Sequence, residues 1–124
     1  MKIPIIKLKW SRWIPWNRFF ARATDSNGVS IPASPGVYEV RVLKNKKPIV
    51  IGRSSNLRHR VKQGLVKGKA PHSTGRRVRK NERHRLHHLR VRWATTDRPA
   101  AAEEELHRRH RKRFGKLPKY THST

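Results

Sequence analysis

Hydrophobic and polar positions fall into two alternating registers along this chain. From Gly36, "GVYEVRVL" sets Val37, Glu39, Arg41 and Leu43 against Tyr38, Val40 and Val42, the period-2 pattern of a strand. "KNKK" supplies a polar turn, and "PIVIG" reads as the returning strand, so strands near 37–43 and 48–52 are expected to pair antiparallel. "LRVRWAT" alternates again with Leu89, Val91 and Trp93 on one side, which predicts a third strand. Between these runs the period lengthens. Leu57, Val61 and Leu65 share one helical face, and Ser54 or Ser55 is expected to cap that helix. "RRVRKNERHRLHH" reads as a more polar helix behind the loop "KGKAPHSTG". A last helix starts at Pro99, which suits a first turn, and carries Ala102, Leu106, His110 and Phe114 at i+4 steps until Gly115 stops it. The order β-β-α-(α)-β-α predicts an α/β fold, a three-stranded mixed or antiparallel sheet flanked by helices.

The first 34 residues differ. They are rich in Trp and Pro and are expected to form an N-terminal extension to a domain over 35–124. Trp10, Trp13 and Trp16 are read as aromatics covering one side of the core, or as a base-stacking platform beside Arg12 and Arg18.

Charge narrows the function. Lys and Arg total 32 against 7 acids, a net charge of +25, with most of the cations beyond Gly52. Such a field favours a polyanionic partner, nucleic acid above all. There is no cysteine, which excludes disulfides and thiolate metal sites. No apolar run approaches the roughly 20 residues of a membrane span, and an intracellular location, cytoplasmic or nucleoid-associated, is expected.

In so basic a chain the acids are informative. Glu103, Glu104 and Glu105 are expected in the first turn of the last helix, where they complement its dipole. Glu103, one step from Ala102 on the helical wheel, is also placed to hold Mg²⁺ or Mn²⁺, hard cations that take oxygen ligands. The eight histidines include His84, His87, His88, His107 and His110 at spacings that permit zinc, with surface contact to phosphate as the rival use. A nuclease needs an activator for its nucleophile, a cation against the developing charge, and usually a metal. Tyr38, Arg60 and Glu103 meet those needs if the fold brings them together.

Residues 35–61, "PGVYEVRVLKNKKPIVIGRSSNLRHRV", resemble the opening of the GIY-YIG nuclease domain, with "GVY" at 36–38, "VIG" at 50–52 and Arg60 eight residues after Gly52. "EEEL" at 103–106, followed by "PKY" at 118–120, is similar to that family's last stretch. The resemblance implies a metal-dependent endonuclease acting on phosphodiester bonds in DNA, with structural or weak sequence specificity. Tyr38 would help to activate water together with His72, while Arg60 would neutralise phosphate and Glu103 would hold the metal. Arg53, Arg58, Lys62, Arg76 and Arg77 are expected to bind the nucleic acid, and a protein partner is a further source of specificity. Two positions depart from the family: Val50 replaces the second motif's tyrosine, and Thr121 stands where asparagine usually follows. The alternative is a nucleic-acid-binding protein on a nuclease fold without catalysis.

Overall fold

The alternation that begins at Gly36 produces the central strand of the sheet. A computed structural model describes residues 7–15, 31–43, 45, 47–61, 74–82 and 87–120. Its strands are β1 (Ile14–Pro15), β2 (Gly36–Val42), β3 (Val50–Ser54) and β4 (Leu89–Thr95), and its helical segments are α1 (Leu57–His59), α2 (Thr74–Asn81) and α3 (Pro99–Phe114). The protein is an α/β fold whose four-stranded sheet has the order β1-β4-β2-β3. Every neighbouring pair is antiparallel. β2 sits between β3 (Gly36↔Ser54 to Val40↔Val50) and β4 (Gly36↔Thr95 to Val42↔Leu89), so the hairpin expected around "KNKK" is present.

The sheet has one strand more than the sequence predicts. β1 comes from the Trp/Pro-rich extension and is only two residues long, too short for any periodicity to register. Pro15 is tolerated there because β1 is an edge strand and leaves one side without ladder bonds. The Ser11 N–H donates to the Trp93 carbonyl at 2.8 Å, and the Ser11 hydroxyl accepts from the Trp93 N–H at 3.0 Å, continuing the attachment.

Alternation then sorts side chains onto two faces. On one face Tyr38, Val40, Val50, Val91 and Trp93 pack with Leu57, Val61 and Val78 from the helical segments. Ile14 and Ile31 complete that core, so the described part of the extension contributes to it. On the other face Val37, Ile51 and Ala94 meet Ala102 and Leu106 of α3, with Leu8 and Trp10 against them.

Two local expectations change. The cap of α1 is Asn56, whose side chain accepts from the His59 N–H at 3.1 Å, rather than Ser54 or Ser55. Ser54 is still paired in β3, and its hydroxyl is occupied with the Asn56 N–H at 2.9 Å. The Glu103–Glu105 trio is not in the first turn of α3. That turn starts at Pro99 and contains no acid, which places the trio one turn further along, where the helix dipole has largely faded. Gly115 ends α3 as expected, at φ 78.

Candidate active site at the sheet edge

Tyr38 and Gly52 are cross-strand partners, so both face the α1 side of the sheet. Gly52 leaves the space above it empty, and the Tyr38 ring fills that space. A Cβ at position 52 would overlap the ring and its hydroxyl. Because β3 is the edge strand, this crossing carries the phenol towards the rim of the sheet. Gly36 has a related role: a Cβ there would strike the Ala94 carbonyl and Leu57, the residue that opens α1.

Arg60 follows α1 and is exposed. Arg60 and Glu103 both act electrostatically on the Tyr38 hydroxyl. Burial pushes the phenol above its ordinary value; Arg60 opposes the rise and Glu103 adds to it. The resting site therefore holds a neutral phenol at physiological pH. Glu103 belongs to α3, which packs on the other face of the sheet. Arg53, next to Gly52, points to the α3 side and sets its Nε 3.6 Å from Glu103 Oε1. The Glu103 side chain is 25% exposed and Arg53 55%, so this pair is open to water and weak.

An open groove of about 550 Å³ runs along this side of α3, lined by Arg53, Glu103, Glu104, His107, Arg108 and Arg111. His107 is the member that sequence reasoning assigned elsewhere. Its Nε2 donates to the Ile51 carbonyl at 3.2 Å, because only a ring N–H can bond a carbonyl. In the neutral ring that bond leaves the lone pair on Nδ1. Its signal was present in the chain, one turn after Glu103, but was read as part of a histidine cluster.

The other expected residues divide. Lys62 and His72 lie outside the described residues. Arg58 gives its Nε–H to the Ile31 carbonyl at 2.8 Å and so fastens the extension to α1. Arg76 and Arg77 are exposed on α2, and the Arg77 guanidinium lies 5.6 Å from the Tyr120 ring centre. Glu105 bonds Arg108 and Arg109, and the Arg108 hydrogen bonds hold its carboxyl below the usual range. Among the described residues no three metal-ligating side chains gather, so the described histidines form no zinc site. His110 is buried and donates from Nδ1 to the Lys116 carbonyl at 2.5 Å.

Two other acids have structural partners. Glu39 is buried on the α3 face and accepts from Arg92 Nε at 2.7 Å. Glu82, 1% exposed, accepts from the Tyr120 hydroxyl and pairs with Lys119 Nζ at 2.9 Å, tying the end of α2 to the C-terminal segment. Among the described residues no helix is long and apolar enough to cross a membrane. Comparison with known protein families, curated proteins and solved structures finds no match to the chain.

Proposed function

We propose that the protein is a metal-dependent endonuclease of the GIY-YIG type that hydrolyses phosphodiester bonds in DNA. The observation that carries the reading is the Tyr38 phenol crossing Gly52 at the sheet edge, with Arg60 and Glu103, from two other elements, both acting electrostatically on its hydroxyl. A helix dipole or a merely basic surface gives no reason for that arrangement.

The residues present fit a hard divalent cation. Glu103 offers a carboxylate in an open groove, and Mg²⁺ commonly takes one or two carboxylates and completes its shell with water and phosphate oxygens. Mg²⁺ or Mn²⁺ bound there would supply positive charge against the scissile phosphate. Arg60 would hold a phosphate oxygen and stabilise the charge that develops on it. The neutral Tyr38 hydroxyl would orient the attacking water, with His107 on the same groove as the residue to take its proton. Arg53, Arg76 and Arg77 would contact backbone phosphates, which position a strand without reading its sequence. Specificity would then come from DNA structure, weak context or a protein partner, in an intracellular, nucleoid-associated setting.

Val50 favours a second reading. It is 2% exposed in the core, a hydrocarbon where the resembled family has a hydroxyl. A nuclease fold that binds nucleic acid without cutting it would have that substitution. The two readings separate on supercoiled plasmid and short branched DNAs, incubated with Mg²⁺ or Mn²⁺ and then with EDTA, beside Arg60→Ala. Metal-dependent cleavage lost in the variant supports the enzyme; silence of the wild type on every substrate supports the binder.

A further inference from the structure

The flank of α3 away from Glu103 has a groove of its own, about 430 Å³, between the helix and the Trp10–Trp13 arm. Its floor is the α3 face of the sheet, where Glu39, Arg41 and Arg92 lie side by side. The Arg92 guanidinium stacks over Trp10 at 4.1 Å and Trp13 at 4.6 Å, and that of Arg41 over Trp13 at 4.0 Å. Stacking of this kind holds a guanidinium plane in place while leaving its edge N–H groups for other partners. Glu39 is committed to Arg92. Arg41 is held below the usual arginine range, first by burial and then by Arg92, with Glu39 opposing.

One side-chain donor on this groove, Arg41 Nε, is buried without a partner. A buried donor left unpaired is costly, so native proteins rarely keep one without a use. Arg109 and Arg113 stand on the same groove, Arg109 paired with Glu105 at 3.0 Å, which makes four guanidiniums to the two carboxylates of Glu39 and Glu105. The complementary ligand brings negative charge, hydrogen-bonding oxygens and a flat apolar surface to lie against indole.

We propose that this groove binds a single-stranded nucleic-acid segment, its phosphate on Arg41, Arg109 and Arg113 and its base against Trp10 and Trp13. Single-stranded form follows from the shape. In a duplex the base faces are already stacked on one another, and a concavity of this volume, in the range of small-ligand pockets, admits about one nucleotide. The phosphodiester strand is the common chemistry of DNA and RNA, and both fit. The assignment rests on nucleic acid being the partner, as proposed above, and is independent of cleavage.

The test is fluorescence anisotropy in EDTA with labelled oligothymidylate and oligouridylate of about twelve nucleotides, a duplex of equal length and oligoglutamate, a length set by typical single-strand site sizes. Proteins are the wild type, Arg41→Gln and the double variant Arg109→Gln/Arg113→Gln; the last two side chains are exposed, which keeps folding out of the comparison. The expected result is a loss of roughly tenfold on single strands in both variants, the scale of a lost hydrogen bond to a charged group, with a much smaller loss on duplex. Ultraviolet cross-linking of bromouracil-substituted strand should mark the peptide carrying Trp10 and Trp13. Equal losses on duplex and single strand, tight oligoglutamate binding with the same Arg41 dependence, or cross-links confined elsewhere would each overturn the assignment. Arg41-dependent strand binding by a protein that cleaves nothing removes only the hydrolytic reading. Normal cleavage with unchanged strand binding in both variants removes only the groove.

Discussion

Replacing Gly52 with alanine adds one methyl group at the point where Tyr38 crosses the edge strand. The new Cβ would sit 3.0 Å from Tyr38 Cε1 and closer still to Cζ and Oη. Non-bonded carbons prefer about 3.5–4.0 Å, so the ring must move by roughly 1 Å. It has little room. Tyr38 is 4% exposed and packed with Val40, Val50 and Trp93 in the core. Overpacking of this kind costs about 1–3 kcal/mol, and for a domain of this size lowers Tm by about 4–10 °C. Backbone strain does not enter, because Gly52 lies in β3 and Gly115 is the positive-φ glycine among the described residues. A shift of that size also displaces the hydroxyl within the site, and misplacement by about 1 Å can cost about a hundredfold in rate. Thermal and urea unfolding measure the first effect and plasmid cleavage the second. Adding Tyr38→Phe removes Oη, one of the overlapping atoms, so the double variant should recover part of the stability without recovering cleavage. Gly52→Ala as stable as the wild type, within about 0.5 kcal/mol, would mean that the ring does not lie over residue 52, and the site geometry would fall with it.

Four further outcomes can be measured. Glu39→Gln removes the carboxylate between two stacked guanidiniums and should cost about 2–4 kcal/mol in urea unfolding, towards the lower end of broken buried pairs because Arg92 is 27% exposed; an unchanged midpoint would show that Arg92 is held by the Trp rings alone. The chain has two tyrosines, so Tyr120→Phe isolates Tyr38 in an ultraviolet titration. In that background Arg60→Ala should raise the Tyr38 pKa further and Glu103→Gln should lower it, since Arg60 favours the phenolate and Glu103 opposes it; no movement with either would place them out of reach. Both phenols are raised in the folded chain, so the native state keeps protons that the unfolded chain releases near pH ~10, and stability should decline as pH climbs above that value. Duplex affinity should fall with salt at a log–log slope of roughly −0.9 per phosphate contact, with at least ~5 contacts; a flat profile would assign the +25 charge to another use.

The parts of the fold visible in the sequence are those with a period long enough to count. β2 and β4 alternate over seven residues each, and α3 has Pro99 to start it and Gly115 to stop it. β1 has no such pattern; it exists because β4 has an open edge for it to pair with. Asn56 displaced the serines as cap because pairing of Ser54 in β3 is a tertiary event. The α3 trio was read one turn too early for the same kind of reason, since charge alone does not say where a helix begins. No pattern in the sequence marks Glu39 or Glu82 as buried, although a lone acid among so many cations rarely lacks a partner, and their burial depends on Arg92 and Tyr120 from distant parts of the chain. For the site, the residue types were legible through "GVY", "VIG" and Arg60, but their meeting was not. Strand order decides that β3 lies at the rim, and only then does Gly52 open a path for the Tyr38 hydroxyl towards Glu103.

Glu103 gives the most direct test of the central claim, because its neighbours in the trio serve as controls. Glu105 is spent on Arg108 and Arg109, whereas Glu103 faces Arg53 and acts on Tyr38. Metal-dependent plasmid cleavage and duplex affinity in EDTA should be measured together for the wild type, Glu103→Gln and Glu105→Gln. The account predicts that Glu103→Gln abolishes cleavage while binding stays intact or tightens slightly, since a negative charge facing phosphate is gone, and that Glu105→Gln cleaves like the wild type. Equal cleavage by both variants, or equal loss in both, would contradict it.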